Sequence, residues 1–338
     1  MKYSFLNDYN TLVHPEVFKH LQKYVNEVNG AYGLDEHSKN AKQMILEKIG
    51  NNYDVHFLVG GTSANKIVLS HFLKPYEAII CPGSAHINRR ETGAIEANGH
   101  KILVAKSING KITLDGIKEV LVEHNDEHAV MPRIVSISYT TEYGTVYTKK
   151  ELEDIAKLCK ENNLFLYVDG ARLVYGLAAS NLSLKEFASI PDAFTIGGTK
   201  AGAMLGEAVV IKKTEGANNF RYSIKQNGGM LAKGFLAGLQ FEALFTNDLL
   251  LEICKDANQK AVYLRDKMKK LNIKFLFESD TNLQFPILSN KAIKALKEKY
   301  LFSVWNPGEK DSVVRFVTTY GSDYKVIDQL IEDLRKEL

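Results

Sequence analysis

An α/β fold, with a mostly parallel sheet covered by helices on both faces and a smaller α+β unit at the C-terminal end, is what this sequence predicts. Two observations carry the prediction. Between residues 55 and 169, short near-continuous apolar runs alternate with helical patterns, as strands buried on both faces and joined by helical crossovers should. Beyond about residue 250 the order changes to strand-like runs with flanking helices. The expected organisation is an N-terminal segment with helices over 1–45, a large α/β domain over 46–250 and a small α+β domain over 251–338. At 338 residues, 45% hydrophobic and 25% charged, the chain has material for a real core, and disordered or low-complexity classes drop out.

The elements follow in order. After His14-Pro15, the apolar residues Phe18, Leu21, Val25 and Val28 recur at helical spacing, which predicts a helix over 15–29 stopped by Gly30. Val55–Val59 is strand-like, Ala64–Leu73 helical and Ala78–Ile80 strand-like; Lys101–Val104, a helix near 114–124 and Arg133–Ser138 continue the alternation. Thr148-Lys149-Lys150-Glu151 is a capping box that opens a helix with Leu152, Ile155 and Cys159 on one face, and Leu164–Val168 leads into Asp169. Phe275–Phe277, Asn282–Leu288 and Val313–Val317 are strand-like, a helix starts at Asn290, and a closing helix carries Ile327, Leu330, Ile331 and Leu334.

Charge and cysteine usage narrow the function. With 43 Lys and Arg against 40 Asp and Glu, the net charge of +3 is too small for a sequence-independent nucleic-acid binder and leaves room only for a basic pocket. The first residues lack the apolar core of a signal peptide and no run approaches the ~18 apolar residues of a membrane span, so a cytoplasmic protein is expected. Cys81, Cys159 and Cys254 form no CxxC pair and read as buried free thiols, with neither a disulfide framework nor a metal site.

Three features could carry chemistry. Asp169 ends an apolar strand, and Lys200, 31 residues on, lies in the turn Thr195-Ile196-Gly197-Gly198-Thr199-Lys200. Both are charges where the pattern predicts burial, so each needs a partner or a ligand; a helix-capping Asp and a solvated loop Lys are the plain alternatives. Leu58-Val59-Gly60-Gly61-Thr62-Ser63-Ala64-Asn65 is a strand, a glycine turn and a helix start, where free backbone N–H groups and two hydroxyls suit a phosphate. It matches neither GxxxxGK[ST] nor GxGxxG, and a plain turn with Thr62 as helix cap is its alternative. A lysine for a Schiff base, a carboxylate for a pyridinium nitrogen and a dianion cradle are what a pyridoxal 5'-phosphate site requires. His86, after the next strand, supplies an aromatic ring at the same sheet edge.

These residues, with Glu91, Val168-Asp169-Gly170-Ala171-Arg172, Thr199-Lys200 and Asn227-Gly228-Gly229-Met230, resemble the fold-type I pyridoxal phosphate enzymes and, within them, the L-threonine aldolase and β-eliminating lyase family, from Asn7-Asp8 to Arg315. The resemblance implies a fold-type I transferase-like architecture. It implies that Lys200 forms the Schiff base, Asp169 pairs with the pyridine nitrogen, His86 stacks on the cofactor, and Gly61 and Thr62 bind its phosphate. Arg172 and Arg315, with Asn7 where the family often has Ser, would grip the substrate carboxylate, a task suited to a guanidinium fork. Exposure on an edge strand is the alternative for Arg315. The expected reaction is retro-aldol cleavage of threonine or allo-threonine to glycine and acetaldehyde, with His86 or a water it orients as base. β-Elimination from serine or a cysteine derivative is the rival on the same scaffold; a cofactor-binding protein without turnover and plain nucleotide binding at Gly60-Gly61 are two more.

Two positions depart from the family pattern. Its Tyr-Gly-Asp-Asp is here Tyr32-Gly33-Leu34-Asp35, and Leu231 follows Gly-Gly-Met where a basic residue is common, which leaves Lys225 or Lys233 to meet the phosphate charge, from this chain or a neighbour. Glu91 and His128 stand near further family positions of interest. The family also implies a homodimer or homotetramer with the site near a subunit interface, a small amino acid as partner, and neither nucleic acid nor membrane.

Overall fold

Seven strands form the central sheet of the computed structural model, which describes residues 2–338. Their order is Tyr53–Leu58, Glu207–Lys212, Ala193–Gly197, Phe165–Asp169, Met131–Ser138, Glu77–Pro82 and Ile102–Ala105. Only Glu207–Lys212 runs antiparallel to its neighbours; the other pairs are parallel. The strands predicted between residues 55 and 169 are present within a few residues, and the central strands are buried on both sides. Leu166 and Val168 enter the larger core with Val135, Ile137 and Phe194. Tyr167, pointing the opposite way, joins Ile67, Val68 and Val209 under the helix Gly61–His71. Cys81, Cys159 and Cys254 are free and buried.

The capping box at Thr148 is present, with Glu151 N donating to Thr148 Oγ1 (3.2 Å) and Thr148 N to Glu151 Oε2 (2.7 Å); Leu152, Ile155 and Cys159 are buried on the helix Lys149–Glu161. Three expectations are corrected. The helix after His14 covers Pro15–Lys23, not 15–29. Its buried residue is Val17, while Val25 and Val28 stand 78% and 97% exposed. With nothing to cover beyond residue 23, the chain turns at Tyr24, whose ring packs edge-on against His37 at 4.4 Å. Phe275–Phe277 makes only a single bridge, Phe275 to Pro286, and the run Asn282–Leu288 is two strands, Leu283–Gln284 and Ile287–Ser289. Pro286 lies between them, where it has no N–H to continue a ladder.

In the C-terminal part, Asp311–Val317 pairs antiparallel with Leu283–Gln284, Ile287–Ser289 and Ser303–Asn306. The helix Tyr324–Arg335 buries Ile327, Leu330, Ile331 and Leu334 on this sheet, and Phe5 and Tyr300 share that core. Tyr3–Ser4 pairs in parallel with Tyr300–Leu301, so the N-terminal residues add to the C-terminal layer. The 21-residue helix Leu249–Lys269 ties the two cores: Ile253, Cys254 and Ala257 lie in the large one, Leu264 and Met268 in the small one. No helix among the described residues is long and apolar enough to cross a membrane.

Candidate active site

Because the parallel strands share a direction, the segments after Leu58, Pro82, Ser138, Asp169 and Gly197 emerge at one sheet edge, the usual ligand edge of such folds. The antiparallel strand begins there too, with Glu207 paired to Gly197 on one side and Leu58 on the other. The Asp169 and Lys200 turns touch backbone to backbone. A Cβ on Gly170 would run into the Thr195 carbonyl, and one on Gly197 into the Ala171 carbonyl. Gly170 N donates to Thr195 Oγ1 (2.7 Å) and Gly197 N to Gly170 O (3.0 Å), so two glycines fix how the acid and the lysine face each other.

Two adjoining cavities lie at this edge. The inner one, about 50 Å³, is lined by Gly61, Asn65, His86, Asp169, Arg172 and Lys200, with Ser138, Thr140, Glu142 and Ala171. The outer one, about 530 Å³, shares His86, Glu142, Arg172 and Lys200 and adds Tyr9, Arg90, Tyr143, Trp305 and Arg315. A larger cleft of about 640 Å³, around Lys111, Thr145, Glu151 and Asp280, holds none of the expected residues.

Asp169 faces the helix Gly61–His71, as its parity with Tyr167 requires. Asn65 Nδ2 donates to Asp169 Oδ2 and to Glu91 Oε1 (2.8 Å each), Tyr167 Oη donates to Asn65 Oδ1 (2.7 Å), and Ala171 N donates to Asp169 Oδ1 (3.0 Å). His86 Nδ1 lies 2.7 Å from Glu91 Oε1, so one chain of hydrogen bonds runs from the ring to the acid and Nε2 is left over. Lys200 follows Gly198 in a short 3₁₀ turn and its Nζ makes no hydrogen bond or ion pair among the described residues. Burial, then the Arg172 charge, push its amine below the ordinary lysine range, against the pull of Asp8, Asp169 and Glu207. A larger neutral fraction makes it a better nucleophile.

Gly60 is the cap of the glycine-turn helix and Thr62 makes no capping bond, so the Thr62 cap alternative fails. A Cβ on Gly60 or Gly61 would meet nothing within 4 Å, which leaves open space over unpaired amides. Arg172 is held by Asp8: Nε donates to Oδ2 (2.6 Å) and Nη2 to Oδ1 (3.0 Å), and Asn282 Nδ2 adds a third bond to Oδ2 (2.9 Å). Both N–H groups of Nη1 and one of Nη2 remain for a ligand. Arg315 does line the outer cavity, lies over the Trp305 ring at 5.0 Å, and has a buried Nε without partner among the described residues. Burial and Arg172 bring its pKa down to about 10.

Some expected residues are not brought together. Asn7 lines neither cavity; its Oδ1 accepts from Tyr9 N (3.1 Å), and its neighbours Asp8 and Tyr9 reach inward instead. Thr62 is exposed and lines neither, although its amide belongs to the same turn. Lys225 lies over the Tyr32 ring at 4.8 Å and, with Lys233, is outside both cavities of this chain. His128 sits in an exposed loop. Sequence patterns missed Glu142, which lines both cavities, and Glu207, a buried acid whose Oε2 lacks a partner among the described residues and whose carboxyl is raised by burial against the pull of Lys200. Both stand close after legible strand or turn signals, which was the available clue.

An amine without a partner, a carboxylate held by neutral donors, an aromatic ring at the mouth and open space over free amides form a donor set that fits pyridoxal phosphate. The overall fold is that of the fold-type I enzymes: an N-succinyldiaminopimelate aminotransferase from Thermus thermophilus superposes with a TM-score of 0.76 over 100% of this chain and 95% of its own, at 13% identity. The chain belongs to the Beta-eliminating lyase family, which it matches over residues 5–291. Relatives include the low specificity L-threonine aldolases of Pseudomonas aeruginosa, 30% identical over 98% of this chain and 96% of that one, and of a Pseudomonas species, 31% identical with the same coverage. A threonine aldolase structure from Leishmania major matches with a TM-score of 0.97 and 39% identity over 99% of both chains. Family and fold together imply pyridoxal 5'-phosphate as cofactor.

Proposed function

We propose that this chain is a pyridoxal-phosphate-dependent aldolase that cleaves L-threonine or L-allo-threonine to glycine and acetaldehyde. The carrying observation is the half-buried, unpartnered Lys200 amine in one cavity with Asp169, in a chain of this family. When bound, the cofactor supplies an aldehyde for that amine and an electron-poor ring that takes up charge developing at Cα. In this reading Lys200 and Asp169 hold it at its aldehyde and ring nitrogen, His86 lies against the ring, and the amides of Gly61 and Thr62 hold the phosphate.

Arg315 and the free Nη1 of Arg172 take the substrate carboxylate. That grip sets which Cα bond is aligned for breaking, so positioning matters as much as the lysine. A base removes the β-hydroxyl proton, the Cα–Cβ bond breaks, acetaldehyde leaves, and a proton returned to Cα gives glycine. The outer cavity, about 530 Å³, lies at the sheet edge beside Lys200 and Arg315. A homo-oligomer that covers it, in the cytoplasm, belongs to the same proposal, and the family pattern and three buried free thiols support it.

Threonine, allo-threonine and serine, added separately to cofactor-loaded protein, test the proposal. Acetaldehyde with equimolar glycine is expected from the first two. Pyruvate from serine without acetaldehyde from threonine would make the chain a β-eliminating enzyme instead. Absence of both would overturn catalysis on these amino acids.

A further inference from the structure

Glu142 is not among the residues expected from the sequence, yet it lines both cavities together with His86, Arg172 and Lys200. Its loop is fixed: Thr141 and Thr145 bond through their hydroxyls (2.7 Å) and through Thr141 N to Thr145 O (3.1 Å), and Tyr143 stacks on Phe277 at 4.4 Å. Its two oxygens differ. Oε1 accepts from Ser138 Oγ (2.7 Å) and from the backbone N–H of His86 (3.1 Å), whereas Oε2 is buried and has no partner among the described residues.

A desolvated carboxylate oxygen without a donor is where a proton is most favourably received. Burial raises the Glu142 carboxyl, and Asp169 adds to this against the Ser138 bond and His86, which brings it toward the range where a general base works best. His86 has its Nδ1 tied to Glu91 in the chain that ends on Asp169, and in the reading above its ring lies against the cofactor.

We infer that Glu142 is the base of the cleavage step, taking the β-hydroxyl proton of the substrate on Oε2. The inference rests on the aldolase reading above. The O–H bond breaks and its proton passes to Oε2; its electron pair becomes the second bond of the acetaldehyde carbonyl as Cα–Cβ breaks, and that bond's pair stays on the glycine fragment. No oxidant or reductant is required. The same proton goes back to the aldehyde oxygen in the reverse direction.

Glu142→Gln keeps the shape and the bond from Ser138 while removing the proton-accepting oxygen. Acetaldehyde release from threonine should fall about 10²–10⁴-fold, the usual contribution of a general base. Exchange of the glycine Cα proton for deuterium, followed by NMR, involves no β-hydroxyl and should fall far less, and cofactor affinity measured by absorbance should stay within threefold. Glu142→Asp should recover part of the cleavage. The inference is overturned if the Gln variant cleaves threonine within threefold of wild type, or if cleavage and glycine exchange fall together. Wild-type protein that releases no acetaldehyde would overturn the aldolase reading itself, a separate outcome.

Discussion

Replacing Asp8 with Ala separates the binding of Arg172 from its presence. Asp8 is 3% exposed and receives three hydrogen bonds, two from the Arg172 fork and one from Asn282. Removing the carboxylate leaves a buried guanidinium uncompensated, which costs about 3–5 kcal/mol where such pairs have been broken. For 338 residues that corresponds to a fall in Tm of about 4–7 °C. Burial alone would raise the Asp8 carboxyl, but Arg172, then Lys200, hold it below the ordinary 3.8. A folded-state pKa that is depressed contributes stability fully present above the unfolded value and lost as pH falls through the folded one. The wild-type advantage over Asp8→Ala should therefore stay constant from pH 8 to about 5 and shrink only below about 4. Thermal unfolding at several pH values measures this, and threonine KM measures whether the freed arginine still grips. Asp8→Asn should fall between. A variant with Tm within 2 °C of wild type and an unchanged KM would refute the reasoning.

Other outcomes follow from the same geometry. Lys200→Ala should abolish turnover and the covalent cofactor adduct trapped by borohydride; a trapped adduct on the variant would remove that lysine from the role. Asp169→Ala should retain cofactor weakly and lose roughly 10²–10³-fold in kcat, as when a charge-stabilising group at a reacting centre is removed. Arg315→Ala should raise threonine KM roughly 10–100-fold with a smaller change in kcat, the size of one charge-assisted hydrogen bond lost. Gly170→Ala should destabilise the fold by about 1–3 kcal/mol and weaken cofactor retention, because the added methyl drives the acid and lysine turns apart.

How much was legible depended on whether local pattern or distant packing decides a residue's surroundings. Lys200 and Asp169 stood out because each is a charge closing an apolar run, and the parallel sheet then carries both to one edge. The strands themselves were legible for the same reason. Glu142, in Thr-Thr-Glu-Tyr-Gly, reads as an ordinary polar turn; its burial comes from the His86 backbone and Ser138, which no local pattern discloses. Asn7, expected at the carboxylate site, lines neither cavity while Tyr9 lines the outer one, and the long-range pairing of Tyr3–Ser4 with Tyr300–Leu301 that places this segment is not disclosed by local pattern. Val25 and Val28 kept helical spacing yet had no partner to cover, and periodicity alone could not reveal that.

The segment from Tyr3 to Asp8 meets its partners at Arg172, Asn282, Tyr300 and Leu301. During synthesis it leaves the ribosome long before the last of them exists. The strand pairing of Tyr3–Ser4 with Tyr300–Leu301 is therefore a contact of long sequence separation, of the kind whose loop-closure entropy is met late in folding.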